Sequence, residues 1–429
     1  MALIVQKFGG TSMGSIERIK NAAARSLATQ REGHQVVVIV SAMAGETDRL
    51  LRLAKELHPA PSGREIDAIA ATGEQVSSAL MAIAVQALGG RAKSFLGHQM
   101  KVLTDNAFTK ARIRAIEAQK VLEAVAEGEI AVIAGFQGVD DEGNITTLGR
   151  GGSDTSAVAI AAALGADVCE IFTDVDGVYT TDPNVCPEAR KIERISYEEM
   201  LELASLGAKV LQIRSVEMAM KYNVPVHVRS SFSSAPGTLV TGEAGLEAVV
   251  VTGVAYDKGE ARVLLVGVRD QPGVVADVFG ALAVHNVSVD MIIQNVSSAE
   301  RLPGDTGLRT DVTFTVNKND LVRTREVIAE VAERVGALDA RFDEDIAKVS
   351  IVGLGMRSHA GVAAKMFHVL AEHGINIQAI STSEIKVSCL VATKYTELAV
   401  RALHEAFGLH LDPAAITEGA GQPSGPAGS

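Results

Sequence analysis

The sequence predicts an α/β protein: a three-layer, doubly wound, mostly parallel sheet domain followed by two smaller βαββαβ domains of the ferredoxin-like kind. Two observations carry this prediction. Up to residue 229, short apolar runs alternate with helical patterns, which is typical of a parallel sheet with helices on both faces. Later in the chain, residues 267–292 recur as 355–380, which indicates two copies of one small domain.

The elements of the first domain follow from apolar periodicity. Buried strands are predicted at 2–6 (A-L-I-V-Q), 36–40 (V-V-V-I-V), 131–136 (A-V-I-A-G-F), 168–172 (V-C-E-I-F) and 224–229 (V-P-V-H-V-R). Ser15 is expected to cap a first helix, because hydroxyl side chains accept from the free N–H groups of a helix start. Further helices are predicted at 77–88, 154–164 and 197–207.

The domain boundaries follow from a change in composition. The stretch S-S-F-S-S-A-P-G-T at 230–238 is rich in turn residues and predicts an exit from the first domain. We therefore predict a first domain at 1–245, two repeat domains at 246–340 and 341–415, and a disordered tail at 416–429, where the composition turns to Gly, Pro and Ser.

Composition excludes several classes of partner. The net charge is −12 over 429 residues, whereas nucleic-acid and anionic-membrane partners require a basic face. The three cysteines form no C-x-x-C motif, so we expect reduced thiols. No targeting segment is recognised, and we expect no apolar run that approaches the ~20 residues that span a bilayer. We therefore expect a cytoplasmic protein without membrane or nucleic-acid partners.

Two glycine-rich turns predict an anion site. The first, K-F-G-G-T-S at 7–12, has its lysine before the glycines, unlike the nucleotide loop G-x-x-x-x-G-K-[ST]. By itself it is also compatible with a turn bearing a surface Lys7. The second, T-T-L-G-R-G-G-S-D at 146–154, precedes a predicted helix, where backbone N–H groups bind anions. Arg150 suits a bidentate grip on an anion, and Asp154 either faces the same crevice or simply caps the helix.

Three further stretches contain polar groups suited to a ligand site: S-A-M-A-G-E-T-D at 41–48, T-G-E at 72–74 and T-D-V-D-G-V-Y at 173–179. The acids of the last stretch could hold a ribose, Mg²⁺ or only the turn itself. Most of these motifs follow a predicted strand directly, and open α/β sheets bind ligands beyond the carboxyl ends of their strands.

The kinds of residue present indicate phosphoryl transfer. The sequence has no H-x-x-x-H motif. Phosphoryl transfer needs mainly positioning and neutralised charge, which glycines, one lysine, one arginine and a few acids supply. A carboxylate acceptor, with a pKa of roughly 4, needs no base at neutral pH. The hypothesis is a kinase that phosphorylates a carboxylate.

The same motifs, in this order, resemble those of the aspartate kinases of the amino-acid kinase family. The resemblance includes L-G-A-K-V-L at 206–211 and covers nearly the whole chain, and the repeat resembles the tandem ACT domains of that family. It implies the transfer of phosphate from ATP, with Mg²⁺, to the side chain of L-aspartate. The product, 4-phospho-L-aspartate, leads to lysine, threonine, methionine and isoleucine.

The resemblance also implies roles for individual residues, all by their positions in the shared motifs. The catalytic pair is Lys7 and Asp154. The aspartate-binding residues are Ser41, Thr47, Glu74, Arg150 and Ser153, with Arg150 on the α-carboxylate and Glu74 near the α-amine. The ATP-binding residues are Lys7, Gly9, Gly10, Thr173, Asp174, Asp176, Tyr179 and Lys209. No side chain is assigned as a metal ligand.

The ACT repeat implies feedback regulation by L-threonine and L-lysine. Their predicted contacts are Asp270, Gly273, Val274, Val275, Ala276, Gln294 and Asn295 in the first copy, and Asn376, Ile377, Ser383 and Glu384 in the second. We expect a homodimer through these domains, with a dimer of dimers or an α2β2 assembly as alternatives; without an effector site, the repeat would serve only for dimerisation.

Two departures and two alternatives remain. Asn184 stands where the family usually has an arginine, and Phe108 stands where a histidine is frequent. Another amino-acid kinase, acting on N-acetylglutamate, glutamate, carbamate or UMP, would share the sheet and the ATP crevice. An inactive amino-acid sensor would keep only the repeat; Asn184 favours it, whereas the presence of Lys7, Arg150 and Asp154 speaks against it.

Overall fold

The structure is a computed structural model, which describes residues 1–207, 210–242, 250–296 and 308–412. The chain forms two compact units. Unit 1 contains Met1–Tyr179 and Lys191–Glu247, and unit 2 contains Thr180–Arg190 and Ala248–Ser429. The predicted tail at 416–429 lies outside the described residues.

Unit 1 contains the elements that the alternating pattern predicts, together with several that it did not. Its strands are β1 (Leu3–Phe8), β2 (Gln35–Val40), β3 (Ala92–Phe95), β4 (Val102–Thr104), β5 (Ile113–Ile116), β6 (Ile130–Ala134), β7 (Gln137–Val139), β8 (Ile145–Thr147), β9 (Val168–Thr173), β10 (Val178–Tyr179), β11 (Lys191–Ile192), β12 (Arg194–Ser196), β13 (Val226–Ser230) and β14 (Thr238–Thr241). Its helices are α1 (Ile16–Arg31), α2 (Glu46–Leu57), α3 (Gly63–Ala70), α4 (Thr72–Ala87), α5 (Gln119–Ala126), α6 (Gly152–Leu164), α7 (Tyr197–Ser205) and α8 (Ile213–Tyr222).

The main sheet of unit 1 has eight strands in the order β12-β14-β13-β9-β1-β2-β6-β3. Its described pairs are parallel except β13 with β14, so the prediction of a mostly parallel sheet is confirmed. The predicted cap is present as well, because the Ser15 side chain accepts from the N–H of Arg18 at the start of α1.

The sheet is covered on both faces. On one face, apolar residues of α1 and α4 pack against alternate residues of β1, β2 and β6, and Phe8 lies in this core. Helix α6 packs against β1, β2 and β9. Because successive side chains of a strand point to opposite faces, Lys7 lies on the other face from Phe8. A buried strand therefore carries a cation toward the α6 layer.

Of the elements between β2 and β6, the sequence pattern predicted only the helix at 77–88, which corresponds to α4. Strands β4, β5, β7 and β8 make a second sheet in the order β5-β4-β7-β8. Helices α3 and α4 together give a 25-residue stretch, Gly63–Ala87, that could cross a membrane by length and composition alone. The sequence analysis expected no apolar run long enough to span a bilayer. It missed this stretch because Asp67 and Glu74 interrupt the apolar pattern. Of its most apolar window, 56% is buried within the fold, as in the core helix of a soluble protein.

Unit 2 contains the repeat. Its strands are β15 (Gly253–Asp257), β16 (Glu260–Arg269), β17 (Val289–Val296), β18 (Arg309–Asn317), β19 (Asp339–Asp343), β20 (Ile346–Val352), β21 (Ala379–Thr382) and β22 (Lys386–Ala392). Its helices are α9 (Val274–Val284), α10 (Leu321–Arg334), α11 (Val362–Glu372) and α12 (Thr396–Ala406).

The two sheets of unit 2 are built differently from the prediction of two consecutive βαββαβ copies. The first, β17-β18-β16-β19, is completed by β19 at its edge, as expected. The second, β15-β20-β22-β21, takes β15 at the corresponding edge. Strand β15 precedes the first copy in the chain and lies inside the range predicted for it, 246–340. The first copy is thus inserted into the second, because β15 pairs with the edge of β20 that β22 leaves open.

The predicted first domain at 1–245 also differs from unit 1. Residues Thr180–Arg190 lie in the middle of that range, but they cluster with unit 2. Val185 is buried in the core that packs against β20 and β22, with Val254 and Leu403 among its members. Val185 is an apolar residue within a stretch of turn residues, so the sequence did not indicate in which core it would be buried.

Candidate active site

Three loops of unit 1 meet at one edge of the main sheet. In the parallel register, Phe8 of β1 lies opposite Val40 of β2 and Phe172 of β9. The segments that follow these three strands are the K-F-G-G-T-S, S-A-M-A-G-E-T-D and T-D-V-D-G-V-Y motifs. The sequence prediction that they share the carboxyl edge of the sheet is therefore confirmed.

Lys7 lies within β1 and is buried rather than on the surface. Its residue exposure is 8%, and its Nζ lies 2.6 Å from Oδ1 of Asp154. The contact is an ion pair rather than an aligned hydrogen bond, because Asp154 Oδ1 has no partner of hydrogen-bond geometry. The alternative interpretation of the opening motif, a turn with a surface lysine, is wrong, because β1 extends two residues beyond the predicted strand, to Phe8.

Asp154 does not cap its helix. The residue that caps α6 is Gly151, in a left-handed conformation, and Asp154 is the third residue of the helix. Its side chain is 13% exposed and is directed to Lys7. The ion pair thus joins the central strand to the start of α6, and places an ammonium group beside a helix N-terminus, where anions are favoured.

Gly9 and Gly10 allow close packing around this ammonium group. A Cβ on Gly9 would lie 3.2 Å from Lys7 Nζ, and a Cβ on Gly10 would lie 3.2 Å from the carbonyl oxygen of Ala42. The N–H of Gly9, however, donates to the carbonyl of Phe172 at 3.2 Å. This hydrogen bond occupies the Gly9 N–H in the described conformation. The assignment of Gly9 and Gly10 to ATP binding stays a prediction.

Glu74 is a buried carboxylate with one free oxygen. It lies in the first turn of α4, is 3% exposed, and accepts the N–H of Ala42 on Oε1 at 3.0 Å. Its Oε2 is buried and has no hydrogen-bond partner among the described residues. Burial raises the pKa of Glu74 to about 7, against the lowering effect of its backbone hydrogen bonds. A buried acceptor without a partner suits a ligand ammonium group.

The other predicted aspartate contacts lie directly after β2, in the first turn of α2, and in and just before the first turn of α6. Ser41 follows β2 directly, and its N–H donates to the carbonyl of Phe8 at 3.1 Å. Thr47 lies in the first turn of α2 and Ser153 in that of α6, both partly buried. Arg150 is exposed, in the turn before α6. Their contacts with aspartate stay predictions.

The glycine-rich turn before α6 is shaped by residues that cannot be replaced easily. Gly149 and Gly151 have φ of +77° and +72°, which side chains disfavour. A Cβ on Gly151 would also lie 1.9 Å from Cγ of Gln212.

Two charged residues that the sequence reasoning missed hold this turn. Asp67 of α3, fully buried, accepts from Thr109 N and from both the N–H and the hydroxyl of Thr147 in β8. Arg214 of α8 donates to the carbonyls of Leu148 and Ala111 at 2.5 and 3.0 Å. Asp67 and Arg214 each lie in a helix without any surrounding sequence motif. Their role could therefore be recognised only from the tertiary structure.

The loop after β9 is internally bonded. Thr173 Oγ1 donates to Asp174 at 3.1 Å, and Tyr179 donates its hydroxyl to Asp176 Oδ1 at 2.9 Å. Lys191 Nζ lies 3.6 Å from the same carboxylate. Asp176 therefore stabilises the turn, as one of the sequence interpretations allowed. The contacts of Thr173, Asp174, Asp176 and Tyr179 with ATP stay predictions. Lys209 lies outside the described residues.

No group of three or more His, Cys, Asp or Glu side chains that could hold a metal occurs in the described part of the chain. Asp174 is exposed and has one carboxylate oxygen engaged by Thr173. Magnesium bound to a nucleotide keeps several waters and takes only one or two carboxylates. This donor set therefore fits a metal that arrives with phosphates.

The predicted effector contacts lie in unit 2. In the first copy, Gly273 caps α9 with φ +98°, so Val274, Val275 and Ala276 form the first turn, and Asp270 is exposed after β16. Gln294 is exposed on β17, which Asn295 continues.

The second copy differs at the corresponding place. Gly361 caps α11 with φ +95°, but β21 ends at Thr382. Ser383 and Glu384 therefore lie in the turn to β22, where Glu384 pairs with Arg357 at 3.0 Å. Asn376 is exposed and Ile377 partly buried, between α11 and β21. The two copies are thus not equivalent sites.

Comparison with known proteins agrees with this architecture. Residues 2–230 match the amino acid kinase family, and residues 262–333 and 349–407 each match an ACT domain. An aspartokinase of Pseudomonas aeruginosa is 54% identical over 412 residues, which cover 95% of this chain and 98% of that protein.

Solved structures agree as well. Escherichia coli aspartokinase III in complex with aspartate and ADP (R-state) matches with a TM-score of 0.78 at 27% identity, covering 94% of this chain and 99% of that one. The same enzyme in complex with lysine and aspartate (T-state) matches with a TM-score of 0.75, also at 27% identity and over the same shares of the two chains. The chain belongs to the aspartokinases, the amino acid kinases that carry two ACT domains.

Proposed function

We propose that this chain transfers the γ-phosphoryl group of ATP to the side-chain carboxylate of L-aspartate, forming 4-phospho-L-aspartate. The observation that carries the proposal is the Lys7–Asp154 ion pair at the carboxyl edge of the main sheet. It lies beside Gly9, where a side chain would crowd the ammonium group. A cation in a buried, preorganised position stabilises the charge of a phosphoryl group in transfer.

The residues of this pair have different roles. Lys7 neutralises negative charge on the phosphoryl oxygens as the bond to the leaving phosphate lengthens. Asp154 holds the lysine ammonium group in place and contributes to the charge balance around it. No general base is required, because the attacking carboxylate of aspartate is ionised at neutral pH.

The aspartate substrate would be held by groups of opposite charge. Arg150 binds the α-carboxylate as a fork, and Glu74 takes the α-ammonium group on its unpartnered Oε2. Ser41, Thr47 and Ser153 supply hydroxyl groups to the carboxylates. The complex of E. coli aspartokinase III with aspartate and ADP supports these ligand classes.

ATP would be held by the loop after β9, through Thr173, Asp174, Asp176 and Tyr179, with Lys209 and Gly10 at the phosphates. Mg²⁺ would be bound by the phosphates and by Asp174, and it would neutralise phosphate charge. Asn184, in place of the usual arginine, makes a local turn by donating its N–H and its side chain to Asp182 Oδ1 at 2.9 and 3.0 Å.

The biological role would be the first step toward lysine, threonine, methionine and isoleucine, in the cytoplasm. Threonine and lysine would inhibit at the ACT sites, and more strongly together. The lysine complex of E. coli aspartokinase III supports an amino-acid effector. The inhibited enzyme would be a homodimer through unit 2.

A hydroxamate assay tests the proposal directly. Purified chain, ATP, Mg²⁺, L-aspartate and hydroxylamine should give aspartyl hydroxamate, and threonine with lysine should reduce the rate. Glutamate, N-acetylglutamate, carbamate and UMP serve as the alternative acceptors, and ADP formation is measured for all of them because phosphorylated UMP yields no hydroxamate. Turnover of one of these in preference to aspartate would overturn the substrate assignment. Binding of threonine or lysine without any turnover would favour the sensor instead.

A further inference from the structure

One segment of the chain leaves unit 1 and returns to it. Residues Thr180–Arg190, here called the connector, belong to unit 2, although the residues before and after them belong to unit 1. The connector begins directly after the loop Thr173–Tyr179, the proposed nucleotide loop. Any restraint on the connector therefore acts on the end of that loop through the covalent chain.

The base of the connector is fixed within unit 1. Strands β10 and β11 pair antiparallel, with Val178 opposite Ile192. The hydroxyl of Thr238 accepts the N–H of Val178 at 2.8 Å and donates to the carbonyl of Ile192 at 2.5 Å. Tyr179 donates to Asp176, so the last strand residue before the connector is bonded to the nucleotide loop itself.

The connector continues this hairpin as an ordered structure. The N–H of Thr180 donates to the carbonyl of Arg190 at 2.8 Å, and the N–H of Arg190 donates to the Thr180 hydroxyl at 3.0 Å. Within it, the N–H groups of Val185 and Cys186 both donate to the carbonyl of Asp182 at 3.0 Å. A segment bonded in this way transmits a displacement instead of absorbing it.

The connector is held in unit 2 by hydrogen bonds and by apolar packing. Tyr256 of β15 donates its hydroxyl to Asp182 Oδ2 at 3.0 Å, and Arg401 of α12 donates its Nε to the carbonyl of Val185 at 2.7 Å. The N–H of Val254 donates to the carbonyl of Thr180 at 2.7 Å. The Val185 side chain, 7% exposed, is part of the same core as Val362 at the start of α11.

We propose that the connector positions the nucleotide loop from within unit 2, so that Tyr256 and Arg401 set the ATP affinity of unit 1 although neither residue belongs to it. This inference rests on the proposed function. Because α11 and the connector share one core, a ligand that displaces α11 changes the restraint on the loop, which is a route for inhibition. Tyr256 and Arg401 are positioning residues and touch no substrate.

The test uses the full-length chain with Tyr256→Phe and, separately, Arg401→Gln. Without effectors, each variant should raise the KM for ATP about fivefold, the factor that one hydrogen bond contributes. The kcat and the KM for aspartate should stay within twofold of wild type. Tyr395→Phe is the matched control, because Tyr395 packs against the same core and its hydroxyl makes no hydrogen bond with the connector.

A second measurement separates the connector from the proposed regulation. Threonine and lysine should still shift the melting temperature of both variants as they do for wild type, while the concentrations that inhibit by half rise about fivefold. If wild type shows neither inhibition nor a shift, the regulatory proposal fails, and a raised KM for ATP in the variants still supports the connector. If both variants have the same KM for ATP as Tyr395→Phe, the proposal that the connector positions the nucleotide loop is overturned.

Discussion

Lys7 shows how a single buried charge ties stability to chemistry. Lys7→Ala should reduce kcat by about 10²–10³, the scale for loss of one group that stabilises a transition state. It should also lower the free energy of unfolding by about 1–3 kcal/mol, because Asp154 would remain largely buried without its partner. An exposed Lys7, the alternative interpretation of its turn, would leave folding nearly unchanged when replaced.

The measurement is steady-state kinetics with denaturant unfolding of the same samples. Lys93→Ala is a suitable control, since Lys93 is an exposed lysine of β3 in the same sheet. A kcat for Lys7→Ala equal to that of the control would exclude the proposed role.

Glu74 predicts a pH dependence of substrate binding. Since the pKa of this group is about 7 in the folded chain, it becomes neutral as the pH falls below 7 and cannot balance the ammonium group of aspartate. The KM for aspartate should therefore rise as the pH falls from 8 to 6, approaching about tenfold per unit. Glu74→Gln should have a raised KM without this dependence.

The raised pKa of Glu74 also makes folding stability depend on pH. Folding raises the pKa of Glu74 from 4.5 to about 7. Glu74 therefore stabilises the fold below pH 4.5, and this contribution is lost as the pH rises from 4.5 to 7. Glu198→Gln, at an exposed glutamate in the first turn of α7, is the control for the pH profiles of the aspartate KM and of stability. Equal pH profiles of the aspartate KM in wild type and Glu74→Gln would contradict the assignment of Glu74 to the ammonium group.

At the scale of elements, the turn before α6 depends on close packing more than on glycine flexibility alone. Gly151→Ala should raise the KM for aspartate at least about tenfold, because its Cβ would lie 1.9 Å from Gln212 and would displace the turn that carries Arg150. A left-handed alanine by itself costs only about 1–2 kcal/mol.

Gly143→Ala separates the two effects. Gly143 has φ +83°, and nothing lies within 4 Å of its added Cβ, so this variant should lose a similar amount of stability and keep the KM for aspartate. Melting temperatures and kinetics of both variants check this. Similar KM values in the two variants would mean that backbone strain, rather than the clash, controls the turn.

The elements also show what patterns in sequence could and could not predict. The ends of strands β1, β2, β6, β9 and β13 were predicted to within two residues, because a run of buried β-branched residues is a local property. The position of β15 in the second sheet was not predicted. Strand β15 pairs with β20, which is more than 90 residues away in the chain, and such long-range pairing leaves no local pattern.

For the whole molecule, we predict a dimer that forms through the edges of the unit 2 sheets. Strands β17 and β21 are edge strands and expose Ile292 (52%) and Ile380 (41%). Apolar edges of this kind readily pair with a second chain. Ile292→Asp with Ile380→Asp should weaken the dimer by about two orders of magnitude, because the carboxylates would be buried without partners.

Sedimentation of wild type and variant checks this prediction. Val322→Asp, at an exposed residue of α10 (73%), is the control and should remain dimeric. A wild-type monomer at micromolar concentration, or an unchanged mass in the double variant, would contradict it. Loss of inhibition together with the dimer would support effector sites that need both subunits.

The sequence by itself determined the layers, the motifs and their order, because periodicity, glycine turns and charge are written within short stretches. Through the resemblance of these motifs to those of aspartate kinases, it also indicated Lys7, Glu74, Arg150 and Asp154 as one candidate site. Only the tertiary structure decided that Lys7 is buried against Asp154 and that Glu74 retains an unpartnered oxygen. The tertiary structure also placed the connector in unit 2. Burial, pKa and strand partners depend on residues that are distant in the chain and meet only in the fold.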